Sequence, residues 1–266
     1  MLEPFDVLFE GDVPDYPLPF VLQRLYGRLG FKTPILYANF VSSLDGVATL
    51  GSGFSAGSVI SGRQPADRFL MGLLRACADA VLIGAGTLRA TPGHLWTPAH
   101  VFPDLAPGFT ALRASLGRSP EPRTVILTTS GKIDVKHPAL VKGATILTTA
   151  AGARKIGGRL PPACDLAVMG RGARLDLARV IAKLRGRGLD VVCSEAGPHL
   201  TGELIKSRLL DEIFLTVSPV LAGRDNERRF GMVEGVELLP KAGVWSRLIS
   251  ARRHGDYLFV RYGLRK

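Results

Sequence analysis

The segment that most constrains the fold covers residues 189–205, LDVVCSEAGPHLTGELI. It begins with a short apolar run that has no polar face, as is typical of a strand covered on both sides in a mostly parallel sheet. Small residues follow, and apolar residues then recur at helical spacing in Leu200, Leu204 and Ile205. We therefore predict a central strand, a tight turn and a helix, in that order.

The turn between this strand and this helix is the first candidate site. Free backbone N–H groups gather at the start of a helix and attract anions such as phosphate. In open α/β sheets, ligands bind in the crevice beyond the carboxyl ends of the strands. Both rules point to residues 195–199, although a plain strand–turn–helix connection with a glycine cap explains the same residues equally well.

The same alternation of short strands with turns or helices continues through the chain. Strands are predicted at residues 35–41, 80–83, 123–129, 144–149, 165–169, 212–218, 245–253 and 257–262. A spacing of roughly 15 to 25 residues per strand indicates an α/β fold with a largely parallel sheet in a single domain. The last two strands are joined by His254-Gly255-Asp256, which predicts an antiparallel hairpin at the sheet edge. Residues 1–33 are predicted to be an accessory segment with one amphipathic helix ending at Gly30.

Composition argues against several classes of protein. No apolar run reaches the roughly 18 to 20 residues of a membrane span, and the acidic start is unlike a signal peptide. We expect a cytoplasmic protein without a membrane partner. The histidines lack metal-binding spacing, so no metal site is predicted, and three widely spaced cysteines are expected to be reduced thiols: Cys77, Cys164 and Cys193.

The net charge of +11 raises the possibility of a nucleic-acid partner. However, the 34 Lys and Arg residues are dispersed, and no basic helix interleaved with aromatic residues occurs. We expect no nucleic acid and instead an anionic small ligand, with a nucleic-acid-binding or regulatory protein as the rival from another class. A Rossmann dinucleotide fold is disfavoured because the GxGxxG pattern fails at Arg89 and again at Leu175.

Three stretches together resemble one known family: NFVSSLDGVAT at 39–49, LLRACADAVLIGAGTLRATP at 73–92 and CSEAGPHLTGELIKSRLLDEIFLTVSPVLAG at 193–223. They resemble the pyrimidine reductases of riboflavin biosynthesis (RibD C-terminal domain-like), which share the dihydrofolate reductase fold. The resemblance covers residues 34–263 and implies a reductase domain over residues 34–266. It further implies NADPH bound across the strand ends and hydride transfer to the ribosyl C1′ of a 5-phosphoribosylamino-pyrimidine.

The resemblance also implies site residues. Those matched to cofactor contacts are Gly84, Gly86, Thr87, Thr91, Ser130, Ala196, Gly197, Pro198, His199 and Leu200, with Lys132 adding charge near the adenosine phosphate. Those matched to the substrate side are Ser55, Arg75 and Glu195, and Glu195 and Asp45 are the catalytic candidates. In this scheme Arg75 holds a phosphate bidentately, and Glu195 accepts hydrogen bonds from a pyrimidine amine or a ribose hydroxyl.

Plainer explanations compete with several of these assignments. Asp45 could only cap the SLDG turn, since Asp commonly bonds to the backbone that follows it. Arg75 could be a solvated helix residue, and Ser55 an ordinary serine in a glycine-rich loop. Glu195 is harder to dismiss, because a carboxylate between a buried strand and a helix start needs partners.

One departure from the family leaves the substrate open. The riboflavin reductases usually carry an acidic pair before a proline, where this chain has Arg89-Ala90-Thr91-Pro92. A reductase of another pyrimidine or of a pteridine, including a dihydrofolate reductase-like enzyme, is therefore the alternative. No deaminase motif of the HxE and PCxxC type occurs, so we expect a reductase without a fused deaminase. We also expect a homodimer built on the hairpin at residues 245–262.

Overall fold

The computed structural model describes residues 2–51, 56–224, 229–240 and 243–265. Its strands are β1 (Asp6–Glu10), β2 (Ile35–Ser42), β3 (Ala80–Gly84), β4 (Arg123–Thr128), β5 (Ala144–Thr148), β6 (Asp165–Val168), β7 (Val191–Ser194), β8 (Glu212–Val217), β9 (Ser246–His254) and β10 (Tyr257–Leu264). Its helices are α1 (Phe20–Tyr26), α2 (Ala56–Ile60), α3 (Pro65–Cys77), α4 (Ala85–Ala90), α5 (Pro98–Val101), α6 (Ala106–Ser115), α7 (Pro138–Lys142), α8 (Ala150–Ile156), α9 (Leu177–Arg185) and α10 (Pro198–Lys206).

Within the described ranges, all ten strands form one sheet in the order β1-β9-β10-β8-β2-β7-β3-β4-β5-β6. The run from β8 to β6 is parallel, whereas β10, β9 and β1 extend it in antiparallel fashion. The predicted α/β fold with a mostly parallel central sheet is confirmed. Strand β7 lies between β2 and β3, as the apolar run at its start predicted, and all four of its residues are buried.

The antiparallel side of the sheet contains the predicted hairpin of β9 and β10, closed by Gly255 and Asp256. Gly255 has φ +57°, which suits the first position of a two-residue type II′ turn. The hairpin is not the outermost element, however. The N-terminal strand β1 pairs with β9 and forms the edge, with Val7, Leu8 and Phe9 each about half exposed.

The N-terminal segment is therefore an integral part of the fold. Helix α1 ends at Tyr26, with Gly27 as its cap, earlier than the predicted end at Gly30. Leu22 and Leu25 are buried in the larger apolar core. The buried Arg252 of β9 links these pieces, because its guanidinium contacts Glu10 and donates to the Tyr26 carbonyl. The domain division at residue 34 remains a prediction.

Helices cover both faces of the sheet. One apolar cluster lies beneath α1, α3 and α6, and the other beneath α9 and α10. Helix α3 is buried around most of its circumference, because α5 and α6 pack over it. Gly72 allows the close approach of α6, since a Cβ there would lie 2.8 Å from the Phe109 ring. Residues 92–122 thus contribute two helices, α5 and α6, to the packing around α3.

None of the helices in the described part of the chain is long and apolar enough to cross a membrane. The three cysteines are free, with Cys77 and Cys193 buried and Cys164 partly buried. Burial also raises the pKa of the Cys77 thiol to about 12, so this thiol is protonated and unreactive at neutral pH.

Candidate functional site

A cavity of about 910 Å³ opens at the carboxyl ends of β2, β3 and β7. Its walls come from β2, from α3, from the turns that follow β3 and β7, and from residues 91–101. Parallel strands present their carboxyl ends at one edge of the sheet, and ligands of open α/β folds bind there. The turn that the sequence singled out at residues 195–199 therefore forms part of the wall of this cavity.

The turn after β7 leads directly into α10. Gly197 is the N-cap of α10 and offers no side chain to its first backbone N–H groups, while Pro198 occupies the first turn. Such an uncapped helix start is suited to an anion. Gly197 and Gly86 also border open space, since a Cβ added at either would meet no described atom within 4 Å. A ligand can therefore come close to the backbone at both turns.

Most of the residues matched to cofactor contacts meet at this cavity. Those that line it are Gly84, Gly86, Thr87, Thr91, Ala196, Gly197, Pro198, His199 and Leu200. Ser130 does not line it, and lies in the exposed loop after β4. The Ser130 hydroxyl accepts the Lys132 N–H at 3.3 Å, and Arg89 donates to the Lys132 carbonyl at 2.9 Å. The backbone of Lys132 thus joins Ser130 in this loop to Arg89 of α4, outside the main cavity.

Arg75 and Glu195 form a bidentate ion pair inside the cavity. The Arg75 Nε and Nη2 atoms each donate to one carboxylate oxygen of Glu195 at 2.7 Å. The side chain of Arg75 is only 1% exposed and that of Glu195 is 11% exposed. A planar fork of this kind holds the carboxylate in one orientation. The ion pair ties α3 to the end of β7, although 120 residues separate the two side chains.

The explanation of Arg75 as a solvated helix residue is wrong. Its remaining N–H groups also have partners: Nη1 donates to the Leu95 and Thr97 carbonyls at 3.3 Å, and Nη2 lies 3.0 Å from the His94 Nε2. A guanidinium has five donors, and all five are engaged. In this geometry Arg75 holds Glu195 in position, and its guanidinium has no free donor for a substrate phosphate.

His94 completes this network as a neutral ring. Burial, and next the charge of Arg75, lower the pKa of His94 to about 3. Since a guanidinium only donates, the His94 Nε2 must accept, which places the ring proton on Nδ1. The ring also packs edge-on against the buried Trp96 at 5.1 Å. The segment after α4 thus forms a second wall of the cavity.

Asp67 is a cavity residue that the sequence reading missed. It lies in the first turn of α3 and is 5% exposed. Burial raises the pKa of Asp67 to about 6, against the opposing influence of the Thr216 and Ser61 hydroxyls. Its spacing from Leu70 and Leu74 places it on the buried side of the helix, and a charged residue at such a position was the signal available in the sequence.

Asp45 lies outside the cavity lining and has a different role from the one expected. Its Oδ1 accepts the Ser43 hydroxyl at 2.5 Å and the Ala222 N–H at 3.0 Å, and its Oδ2 accepts the Gly223 N–H at 2.8 Å. These bonds, led by that from Ser43, lower the pKa of Asp45 to about 2. The carboxylate therefore anchors the segment after β8 to the SLDG turn, which is a structural role other than capping that turn through the backbone that follows Asp45.

Ser55, the remaining substrate-side candidate, lies outside the described residues. Its neighbours Ala56, Gly57 and Ser58 line the cavity. Among the residues that the structure does describe, no group of three or more His, Cys, Asp and Glu side chains is arranged to hold a metal ion.

Comparison with known proteins places this site in a family. The family model of the RibD C-terminal domain matches residues 34–248. The chain belongs to this family. The match includes the strands β2, β3 and β7, whose ends form the cavity, as well as both members of the Arg75–Glu195 pair.

Two curated relatives are each 26% identical to the chain. The riboflavin biosynthesis protein RibD of Haemophilus influenzae matches over 236 residues, which are 88% of this chain but only 60% of that protein. The 2,5-diamino-6-ribosylamino-4(3H)-pyrimidinone 5′-phosphate reductase of Methanothermobacter thermautotrophicus matches over 240 residues, 86% of this chain and 97% of that protein. The chain therefore spans less than two thirds of the first relative and nearly all of the second.

A solved structure shows the same fold. A pyrimidine reductase-like protein from Corynebacterium diphtheriae superposes with a TM-score of 0.71 at 22% identity, covering 92% of this chain and 98% of the other. At this level of identity the likeness supports the architecture of the sheet and its helices.

Proposed function

We propose that the protein is an NADPH-dependent reductase that transfers a hydride to the ribosyl C1′ of a 5-phosphoribosylamino-pyrimidine, as in riboflavin biosynthesis. The observation that carries the proposal is the cavity at the strand ends. One of its walls is the uncapped start of α10, and another holds Glu195 fixed by Arg75. Family membership and the printed activity of the Methanothermobacter relative support the same reaction.

The residues present fit a dinucleotide phosphate. The open backbone at Gly86 and Gly197 would accept the pyrophosphate beside the α10 start, and Thr87 would contact it from α4. Arg89 and Lys132 would supply charge for the additional phosphate that distinguishes NADPH from NADH. When bound, NADPH would supply the hydride.

Glu195 would orient the sugar of the substrate. Each of its carboxylate oxygens accepts one N–H from Arg75 and keeps a second lone pair for another donor. The ion pair with Arg75 therefore holds the Glu195 carboxylate in one rotamer, in which it can accept a hydrogen bond from a ribose hydroxyl. Orientation of this kind is a large part of what a protein contributes when the cofactor performs the chemistry.

Asp67 would hold the proton that the reduction consumes. Its carboxyl group lines the cavity and forms no ion pair with any described residue. With a pKa near 6, its Oδ atoms carry a proton for part of the time at neutral pH. The departure at Thr91, which lines the same cavity, keeps reduction of another pyrimidine or of a pteridine as the second candidate.

We also propose a homodimer. The edge strand on the antiparallel side of the sheet is β1 rather than a strand of the hairpin, and its apolar residues Val7, Leu8 and Phe9 are 51%, 55% and 45% exposed. An exposed apolar edge strand is a surface that proteins usually cover.

Cofactor titration tests the first half of the proposal. NADPH and NADH are titrated separately against the protein, and binding is followed by cofactor fluorescence. We expect NADPH to bind at least about 10-fold more tightly, since one additional charged hydrogen bond contributes about 1.5 to 3 kcal/mol. Equal or absent binding would remove the cofactor assignment. Turnover of the pyrimidine phosphate, run beside dihydrofolate, tests the second half.

A further inference from the structure

The fully engaged guanidinium of Arg75 leaves open where the anionic end of a substrate is held. Two other arginines line the same cavity, Arg63 and Arg68. Both side chains are exposed, and neither forms an ion pair with a described residue. Arg68 donates its Nε to the Val101 carbonyl at 3.0 Å, which orients its planar group along the cavity rim.

Arg63 has an unusual backbone at this rim. Its φ is +56°, in the left-handed region that residues other than glycine rarely adopt, and it follows Gly62 at φ +59°. The Arg63 N–H donates to the Ser58 carbonyl at 3.0 Å, which fixes the turn between α2 and α3. The chain thus carries a long basic side chain where a glycine would suit the backbone better, and such outliers are concentrated at functional sites.

A second cavity of about 550 Å³ adjoins the first and shares Arg63, Arg68 and Val101 with it. Arg63 and Arg68 therefore line the junction between the cavities. The second cavity also contains Glu3 and Asp104, whose negative charges disfavour an anion deeper inside it. The first cavity also holds two carboxylates, Asp67 and Glu195, but Glu195 is paired with Arg75. One carboxylate there is left without an arginine partner, against two in the second cavity, so the balance of charge favours an anion at the junction, on the side of the first cavity.

We propose that Arg63 and Arg68 form an anion subsite at this junction, which binds the terminal phosphate of the substrate. The proposal rests on the proposed function and names the part of the same site that selects a phosphorylated sugar. Arginine pairs match the geometry of phosphate oxygens. A carboxylate tail, such as that of dihydrofolate, shares the negative charge, so the test must separate these two sources.

The test measures binding without turnover, using ribose 5-phosphate, ribose and p-aminobenzoylglutamate as calorimetric probes. The variants are Arg63→Asn, which suits a left-handed φ, Arg68→Gln and their combination. Arg179→Gln, an exposed residue on α9, is the control that matches the change in charge of each single variant. The double variant is expected to bind ribose 5-phosphate about 10- to 100-fold more weakly, with binding of ribose and the control variant unchanged.

Three results would overturn the subsite. In the first, ribose 5-phosphate does not bind the unmodified protein. In the second, ribose 5-phosphate binds the double variant and the unmodified protein with equal affinity. In the third, the double variant loses affinity for p-aminobenzoylglutamate but not for ribose 5-phosphate. The last result would identify a carboxylate tail as the occupant. Because none of these measurements requires reduction, a protein without reductase activity would still reveal the subsite. In an active protein the double variant would raise KM for the phosphorylated substrate while leaving kcat and the NADPH affinity unchanged.

Discussion

Replacing Asp67 by Asn is expected to stabilise the protein, and the gain should increase with pH. The folded protein holds Asp67 with a pKa of about 6, whereas an unfolded chain has a value near 3.8. Ionisation of the buried carboxyl therefore lowers the free energy of unfolding, because it is unfavourable in the folded state and not in the unfolded chain. Below about pH 3.8 the group is neutral in both states, and the cost is absent.

The magnitude follows from the difference between the two pKa values. A difference of about 2 units corresponds to a cost on the order of 3 kcal/mol once the pH exceeds 6. The cost builds up between pH 3.8 and 6 and is constant above that window, so it amounts to about 1 kcal/mol at pH 4.5. The amide introduced by Asp67→Asn would keep the shape of the protonated carboxyl group without its charge.

Urea unfolding of the two proteins at pH 4.5 and pH 8 measures this cost. Trp96 is 2% exposed, and its fluorescence reports the loss of the core around the cavity. All other titrating groups are common to both proteins, so the difference in unfolding free energy isolates Asp67. Equal stability at pH 8, or a gain that does not grow from pH 4.5 to pH 8, would refute the reasoning. Under the proposed function the more stable variant should also lose kcat, because it lacks the proton.

Other predictions concern separate parts of the molecule. Arg75→Ala should cost about 3 to 5 kcal/mol in urea unfolding, because Glu195 is left largely buried without its partner, and Arg75→Ala combined with Glu195→Gln should recover part of the loss. Gly131→Ala should weaken NADPH binding without changing KM for the pyrimidine. The substitution should distort the loop after β4, because φ of Gly131 is +64° and an added Cβ would lie 2.3 Å from the Gly152 carbonyl oxygen. Unchanged NADPH affinity would exclude this loop from the cofactor site. Phe9→Lys should convert the proposed dimer to a monomer in light scattering, and a monomeric unmodified protein would contradict the assembly. Oligonucleotides should not be shifted by the protein at about 50 mM salt, where electrostatic binding is strong.

The sequence predicted the parallel part of the fold well because those strands are buried on both faces. Strands β3 and β7 each begin with an apolar run, and such a strand can be predicted from its own residues without knowledge of the strands that it pairs with. Strand β1 lacks that signal. Its residues are mostly exposed, and it pairs with β9 more than 230 positions later in the chain. Edge strands are defined by their partner, which local sequence does not reveal.

The part of the cavity that depends on local sequence was predicted, and the part that depends on distant packing was not. The turn at residues 195–199 follows from local rules of strand ends and helix starts, and the structure places it in the cavity wall. The environment of Arg75 depends on α5 and α6 covering α3, and those short helices carry little periodicity. Local sequence therefore left a solvated Arg75 open as the alternative to a substrate-binding one, although this side chain is 1% exposed.

The most direct test of the proposed reaction follows the hydrogen itself. The protein is incubated with the phosphoribosylamino-pyrimidine and NADPH that carries deuterium at the transferable position of nicotinamide C4, and the product is analysed by mass spectrometry and NMR. The account predicts one deuterium on C1′ of the product, together with a large loss of turnover in Glu195→Gln and none in Arg179→Gln. Oxidation of NADPH with dihydrofolate alone, or a product without deuterium at C1′, would contradict it.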